Sequence, residues 1–161
     1  MILKKLLYML LLCVTTMLHA EWETITFNEH VSKSSLIVVA EFQEEIEKKE
    51  IEIGTSQLVS FEVDEIIKGD VNGSILVKGQ EFFMCVPQML FPNTPKIKYL
   101  LFLEQEEDDT SYSLVHGERS ALVIENGSVG WISDRSKIDL GDSVPTSFQE
   151  VREEIEEILK R

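Results

Sequence analysis

The sequence predicts a mainly β chain with terminal helices: a small antiparallel Greek-key barrel finished by a C-terminal amphipathic helix. Three observations carry that prediction. Short stretches of alternating apolar and polar residues recur between turn signals through the middle of the chain. One of them, "SALVIENGSVGWIS", turns about Asn126-Gly127, the strongest short-range hairpin signal present. The last stretch, "TSFQEVREEIEEILKR", instead sets Phe148, Val151, Ile155, Ile158 and Leu159 at helical spacing.

Taken in order, the chain opens on a secretory signal. Lys4 and Lys5 form a basic start, "LLYMLLLCVTTML" an apolar middle, and "LHA" a cleavage site ending at Ala20. The apolar run falls short of the roughly 20 residues that a membrane span needs. Lipoprotein processing at Cys13 is disfavoured by the bulky Leu12 before it. Residues 21–161 then form a single domain, large enough for one core, with the barrel over about 34–133 and the helix over about 146–160.

A capping box, Thr26 with Glu29, predicts a short helix before the first strand. In "SLIVVAEFQ", Leu36, Val38, Ala40 and Phe42 share one face and Ile37 and Val39 the other, so this strand is buried on both sides. "EEIEKKEIEIGTS" extends it into a solvated hairpin connection, with Gly54 as the breaker. "QLVSFEVDEIIKGD" alternates at Val59, Phe61 and Val63 and changes phase at Asp64-Glu65, which predicts a bulge of the kind that lets a small barrel coil. "NGSILVKG" reads as a short third strand after an Asn-Gly turn. "KIKYLLFLE" is a strong fourth, with Ile97, Tyr99, Leu101 and Leu103 in phase. The connection between these two holds Pro87, Pro92 and Pro95, which excludes a regular central strand there. "SYSLVHGE" and the Asn126-Gly127 hairpin complete the sheet, and Ser147 with Glu150 caps the final helix. A barrel of the oligonucleotide/oligosaccharide-binding (OB-fold) type fits this set of elements.

The segments "SSLIVVAEF" (Ser34 to Phe42), "SFEVDEIIKGD" (Ser60 to Asp70) and "YLLFLE" (Tyr99 to Glu104) resemble strands of the netrin-like module and of the inhibitory domain of tissue inhibitors of metalloproteinases. Small exported bacterial domains that share this fold are similar in the same way. The resemblance runs from about Phe27 to Ile132 and implies a binding scaffold of that shape. In the metalloproteinase inhibitors an N-terminal cysteine chelates the target's zinc and is tethered by a disulfide to a cysteine near the position of Cys85. Here the expected N-terminus is Glu21, and neither the chelating residue nor its partner cysteine is present. That inhibitory mechanism therefore does not carry over.

The full chain has 15 basic and 29 acidic residues, a formal charge of −14. Removal of the leader takes away two lysines, so 13 basic residues face 29 acidic ones and the charge becomes −16. Such a field repels phosphate backbones and anionic headgroups, which excludes nucleic acid and electrostatic membrane docking as partners.

Catalytic signatures are missing from the sequence. It contains no nucleophile elbow, phosphate-cradling glycine loop or His-Glu-x-x-His run. His116 and Glu118 would share a face if "SYSLVHGE" stays extended, yet two ligands at strand spacing do not make a zinc site, and ordinary strand-end residues are the favoured reading. "EQEEDDTS" lacks the alternation and glycine of a calcium loop and reads as a solvated turn. Asn72 and Asn126 match glycosylation acceptors, but each also supplies the Asn-Gly of a turn. Cys85 becomes the sole cysteine after cleavage and is read as a small packing residue between "FFM" and "VP", with an intermolecular disulfide as the alternative.

The expectation is a secreted or periplasmic, non-enzymatic module that binds another protein, with no cofactor, no metal and no membrane anchor once the leader is removed. Its surface is expected to combine the N-terminal segment that starts at Glu21 and Trp22 with the proline-rich connection that holds Cys85, Pro87 and Pro92, positions that correspond to the reactive edge of the resembling inhibitors. Phe82, Phe83 and Trp131 are the aromatics expected nearest a binding surface, with core packing as their commoner fate. A carbohydrate- or small-ligand-binding barrel of the cell envelope is the alternative. An enzyme built on His116, Glu118 and Cys85 is the third reading.

Overall fold

A computed structural model describes residues 26–52, 54–82, 90–108, 110–131 and 147–161. The elements run α1 (Phe27–Lys33), β1 (Leu36–Ile51), β2 (Gly54–Lys68), β3 (Ser74–Phe82), β4 (Lys98–Gln105), β5 (Tyr112–Leu114), β6 (Ala121–Glu125), β7 (Ser128–Trp131) and α2 (Phe148–Leu159). The sheet order is β1-β2-β3-β5-β4-β6-β7, and a further pairing of β1 with β4 closes the first five strands into an OB-fold-like barrel.

β1 and β2 form one long antiparallel hairpin, and its register slips four times. Each slip leaves one residue without an opposite partner: Ile67 and Asp64 on β2, Gln43 and Ile46 on β1. The expected phase change in "FEVDEII" is therefore a pair of bulges. Their added twist bends the hairpin so that the first half of β1 reaches β4, from Leu36 opposite Leu103 to Glu41 opposite Lys98. The other closing seam is short and parallel, with Val77 opposite Tyr112 and Lys78 opposite Ser113.

This closure gives β1 and β4 two buried faces. Leu36, Val38, Ala40, Phe42, Tyr99, Leu101 and Leu103 point into the barrel with Val59, Phe61, Ile75 and Val77. On the outside, Ile37, Val39, Leu100 and Phe102 form a second core with Phe27 and Val31 of α1, Leu122 of β6, and Val151 and Ile155 of α2. Both expected capping boxes form, Thr26 with Glu29 and Ser147 with Glu150. The C-terminal helix docks on its own barrel, held also by an Arg152–Glu65 ion pair of 2.8 Å. Leu159, expected in the apolar stripe, is 40% exposed because it falls at the helix end, past the last turn that meets the sheet.

Two strands differ in length from the sequence reading. β3 continues to Phe82 because it pairs with β2 as far as Gly54, so it is not short. β5 stops at Leu114, and the chain then enters a 3-10 turn over Gly117–Ser120, with His116 preceding it in a non-extended conformation. His116 and Glu118 are therefore not related by strand alternation. The Ser120 hydroxyl accepts the His116 main-chain N–H at 2.7 Å, a local bond that competes with strand extension. The Asn126-Gly127 hairpin forms as expected, with φ of 52° and 77° at the two turn residues.

Candidate functional site

Of the expected surface residues, Glu21, Trp22, Phe83, Cys85 and Pro87 lie outside the described residues, as does the leader. For Phe82 and Trp131 the backbone alone is described, at the ends of β3 and β7. Pro92 is exposed, on the segment that leads into β4. The residue before it turns the other way. Phe91 is 2% exposed and enters the barrel, edge-on to Phe61 at 5.0 Å and to Tyr99 at 5.7 Å between ring centroids.

Gln57 fixes that entry. Its side-chain amide donates to the Phe91 carbonyl at 3.0 Å and its side-chain oxygen accepts the Phe91 N–H at 2.8 Å. A primary amide reproduces the donor–acceptor pair of a neighbouring strand, so Phe91 is held as though by a ladder. Further along, the Lys96 N–H reaches the Phe42 carbonyl at 3.1 Å, and the Phe42 N–H reaches Ile97 at 2.9 Å. Pro92, Asn93, Thr94, Pro95 and Lys96 are all exposed between these two anchors. The result is a short proline-bounded loop over a barrel mouth filled by aromatic rings. Phe42, Phe61, Phe91 and Tyr99 meet edge to face, so this end of the interior is packed with side chains.

A second grouping was not anticipated. His30 on α1 is fully buried, edge-on to Phe102 and to His116, each at 5.9 Å between ring centroids. Its Nδ1 faces the Thr26 carbonyl at 3.3 Å, which places the proton of the neutral ring on Nδ1. Among the described residues the buried Nε2 has no hydrogen-bond partner, and neither has the buried Nε of Arg119 on the 3-10 turn. Burial holds the His30 imidazolium down to a pKa of about 4, with His116, Arg119 and Lys33 adding repulsion and the Thr26 carbonyl opposing them. The ring is therefore neutral near pH 7. In sequence, His30 shows only helical spacing with Phe27 and Val31; its approach to His116 depends on β4 and β5 bringing the connection under α1.

The "EQEEDDTS" turn is organised by Asp108, whose carboxylate accepts from the main chain of Thr110 and Ser111 and pairs with Lys78 at 3.2 Å. These bonds, led by that from Thr110, hold its carboxyl well below the usual range. Among the described residues no group of three or more His, Cys, Asp or Glu side chains is placed to hold a metal ion. No described helix is long and apolar enough to cross a membrane. Neither comparison with protein-family models nor comparison with curated proteins returns a match.

Proposed function

We propose that this protein is an exported, non-enzymatic binding module of netrin-like shape whose target is another protein. The observation that carries the reading is the loop Pro92 to Lys96. It is exposed along its length yet anchored at one end by Gln57 and at the other by the Phe42 main chain. Recognition by such a loop costs little ordering entropy, because its conformation is set before contact. The strongly acidic chain favours a basic partner. The alternative carbohydrate or small-ligand reading draws less support, since the aromatic cluster occupies this end of the barrel.

The test is a photo-crosslinking amino acid at Asn93, compared with one at Glu153 on the exposed face of α2, in cells that export the protein. A discrete protein adduct from position 93 alone is expected. Equal adducts from both positions, or none from 93, would count against the reading. An intact mass of the recovered chain checks export separately: a species beginning at Glu21 is expected.

A further inference from the structure

We propose that His30, His116 and Arg119 form a binding site for a small carboxylate, set between α1 and the Gly117–Ser120 turn. The inference is independent of what the exposed loop docks onto.

The first ground is charge. Acidic residues outnumber basic ones by 29 to 15, and Lys78, Lys98 and Arg152 each reach a carboxylate within 3.3 Å. Arg119 makes no ion pair among the described residues, although it is partly buried and its Nε–H is wholly so. A buried donor without an acceptor is costly, the more so when it is charged. Among the described residues no carboxylate reaches Arg119, and its buried Nε–H suits an acceptor supplied from outside.

The second ground is the His30 imidazole, which meets His116 of the same connection at 5.9 Å between ring centroids. His30 is fully buried, its Nδ1 proton is committed to the Thr26 carbonyl, and among the described residues its Nε2 lone pair meets no donor. A carboxylate bound at Arg119 changes what that nitrogen does. Uptake of one proton from solvent by Nε2 turns it into a donor toward the anion, giving a two-pronged, charge-assisted site. Among the described residues the ionisable groups that act on the ring are His116 and Arg119 from the β5–β6 connection, Lys33 of α1, and Glu29 of α1, whose carboxylate is bonded to Thr26. β4 and α2 contribute the apolar Phe102, Val151 and Ile155 to the cluster beneath α1. The positive neighbours oppose protonation of His30, and an anion among them reverses that. Proton uptake and carboxylate binding therefore strengthen one another.

A monoanion fits better than a phosphate dianion. One guanidinium and one imidazole supply at most two positive charges beside His116, and the net charge of the chain opposes each further negative charge brought in.

The probe is trifluoroacetate, which stays ionised throughout, titrated at constant ionic strength held with chloride. The NMR signals of the Arg119 Nε–H and the His30 ring report the binding. Both are expected to shift together and saturate, with affinity about tenfold or more tighter near pH 5 than near pH 7. Arg119→Gln should abolish saturation, and Arg119→Lys, which keeps the charge without the Nε–H, should weaken it. His30→Phe should keep binding and lose its pH dependence. Linear shifts, saturation unchanged in R119Q, affinity independent of pH, or tighter binding of inorganic phosphate would each overturn the proposal. A tripeptide run beside its C-terminal amide separates two sources of the same chemistry. Stronger binding of the free tripeptide than of trifluoroacetate assigns the site to a chain terminus, and weaker binding to a free acid.

Discussion

The ammonium group of Lys68 donates to the main-chain carbonyl of Val31 at 2.7 Å, and to that of Ser32 at 3.2 Å, so the end of β2 caps the end of α1. A helix of seven residues has most of its carbonyls unpaired within itself, and a cation at its C-terminus also meets the helix dipole. Lys68→Met keeps the apolar stem and removes the donor. It should cost about 1–2 kcal/mol in urea unfolding, with Lys68→Arg retaining most of the stability. An unchanged midpoint for the methionine variant would show that the cap contributes nothing.

The next residue has no room for a side chain. Gly69 holds φ at +89°, and a Cβ there would lie 2.6 Å from the Ser35 carbonyl oxygen. Gly69→Ala should therefore destabilise by about 2–3 kcal/mol. Gly73 has φ of +72° with open space around it, so Gly73→Ala should cost only about 1 kcal/mol. Equal losses at the two positions would mean that dihedral strain alone, without the clash, sets the cost.

Gln57→Glu changes one atom of the clamp on Phe91. The carboxylate still accepts the Phe91 N–H but cannot donate to the Phe91 carbonyl, and it sits beside Glu45, to which Gln57 now donates. A loss of about 2–4 kcal/mol near pH 7 is expected, partly recovered as pH falls and the new carboxyl protonates. Gln57→Leu should lose about 1–3 kcal/mol without that recovery. Thermal melts over a pH series distinguish the two.

His30 binds its proton less readily folded than unfolded, about 4 against 6.5. The unfolded chain therefore holds more protons through that window, and acidification from about 6.5 through about 4 removes stability. The full effect is about 3 kcal/mol. Other groups titrate over the same range, so the readout is the difference between the parent protein and His30→Phe. That difference should narrow or change sign as pH falls, and a constant difference would rule out the linkage.

Tyr99 carries a hydroxyl into the barrel where it has no hydrogen-bond partner among the described residues, and burial pushes its pKa up to about 12. Removing an unpartnered buried hydroxyl deletes a desolvation cost without deleting a bond. Tyr99→Phe should leave stability unchanged or raise it by about 1 kcal/mol by urea unfolding. A clear loss would show that the hydroxyl has a partner in solution.

Much of the fold is legible locally. The two-faced apolar run at Leu36 to Phe42, the phase change at Asp64-Glu65, both capping boxes and the Asn126-Gly127 turn are each written within a dozen residues, and each forms. The end of β5 at Leu114 is harder to read, because the Ser120 hydroxyl that captures His116 lies in a segment that also reads as extended. The Gln57–Phe91 clamp and the approach of His30 to His116 span 34 and 86 residues of sequence, and no local period reports such a meeting. Gln57 gave a weak signal, an amide in a strand whose neighbours Val59 and Phe61 are core; His30 gave only its place on the buried face of α1.

The seam between β1 and β4 also sets the order of folding. β1 and β2 are neighbours in sequence, paired from Ile51 opposite Gly54 onward, and can zip within microseconds, but Leu36 must wait for Leu103, more than sixty residues away, before the barrel shuts. Until then Leu36 to Glu41 presents an unpaired edge with apolar groups on both faces, which is a template for a second chain as much as for β4. Refolding yield should therefore decline with protein concentration, with the losses arising at this one strand.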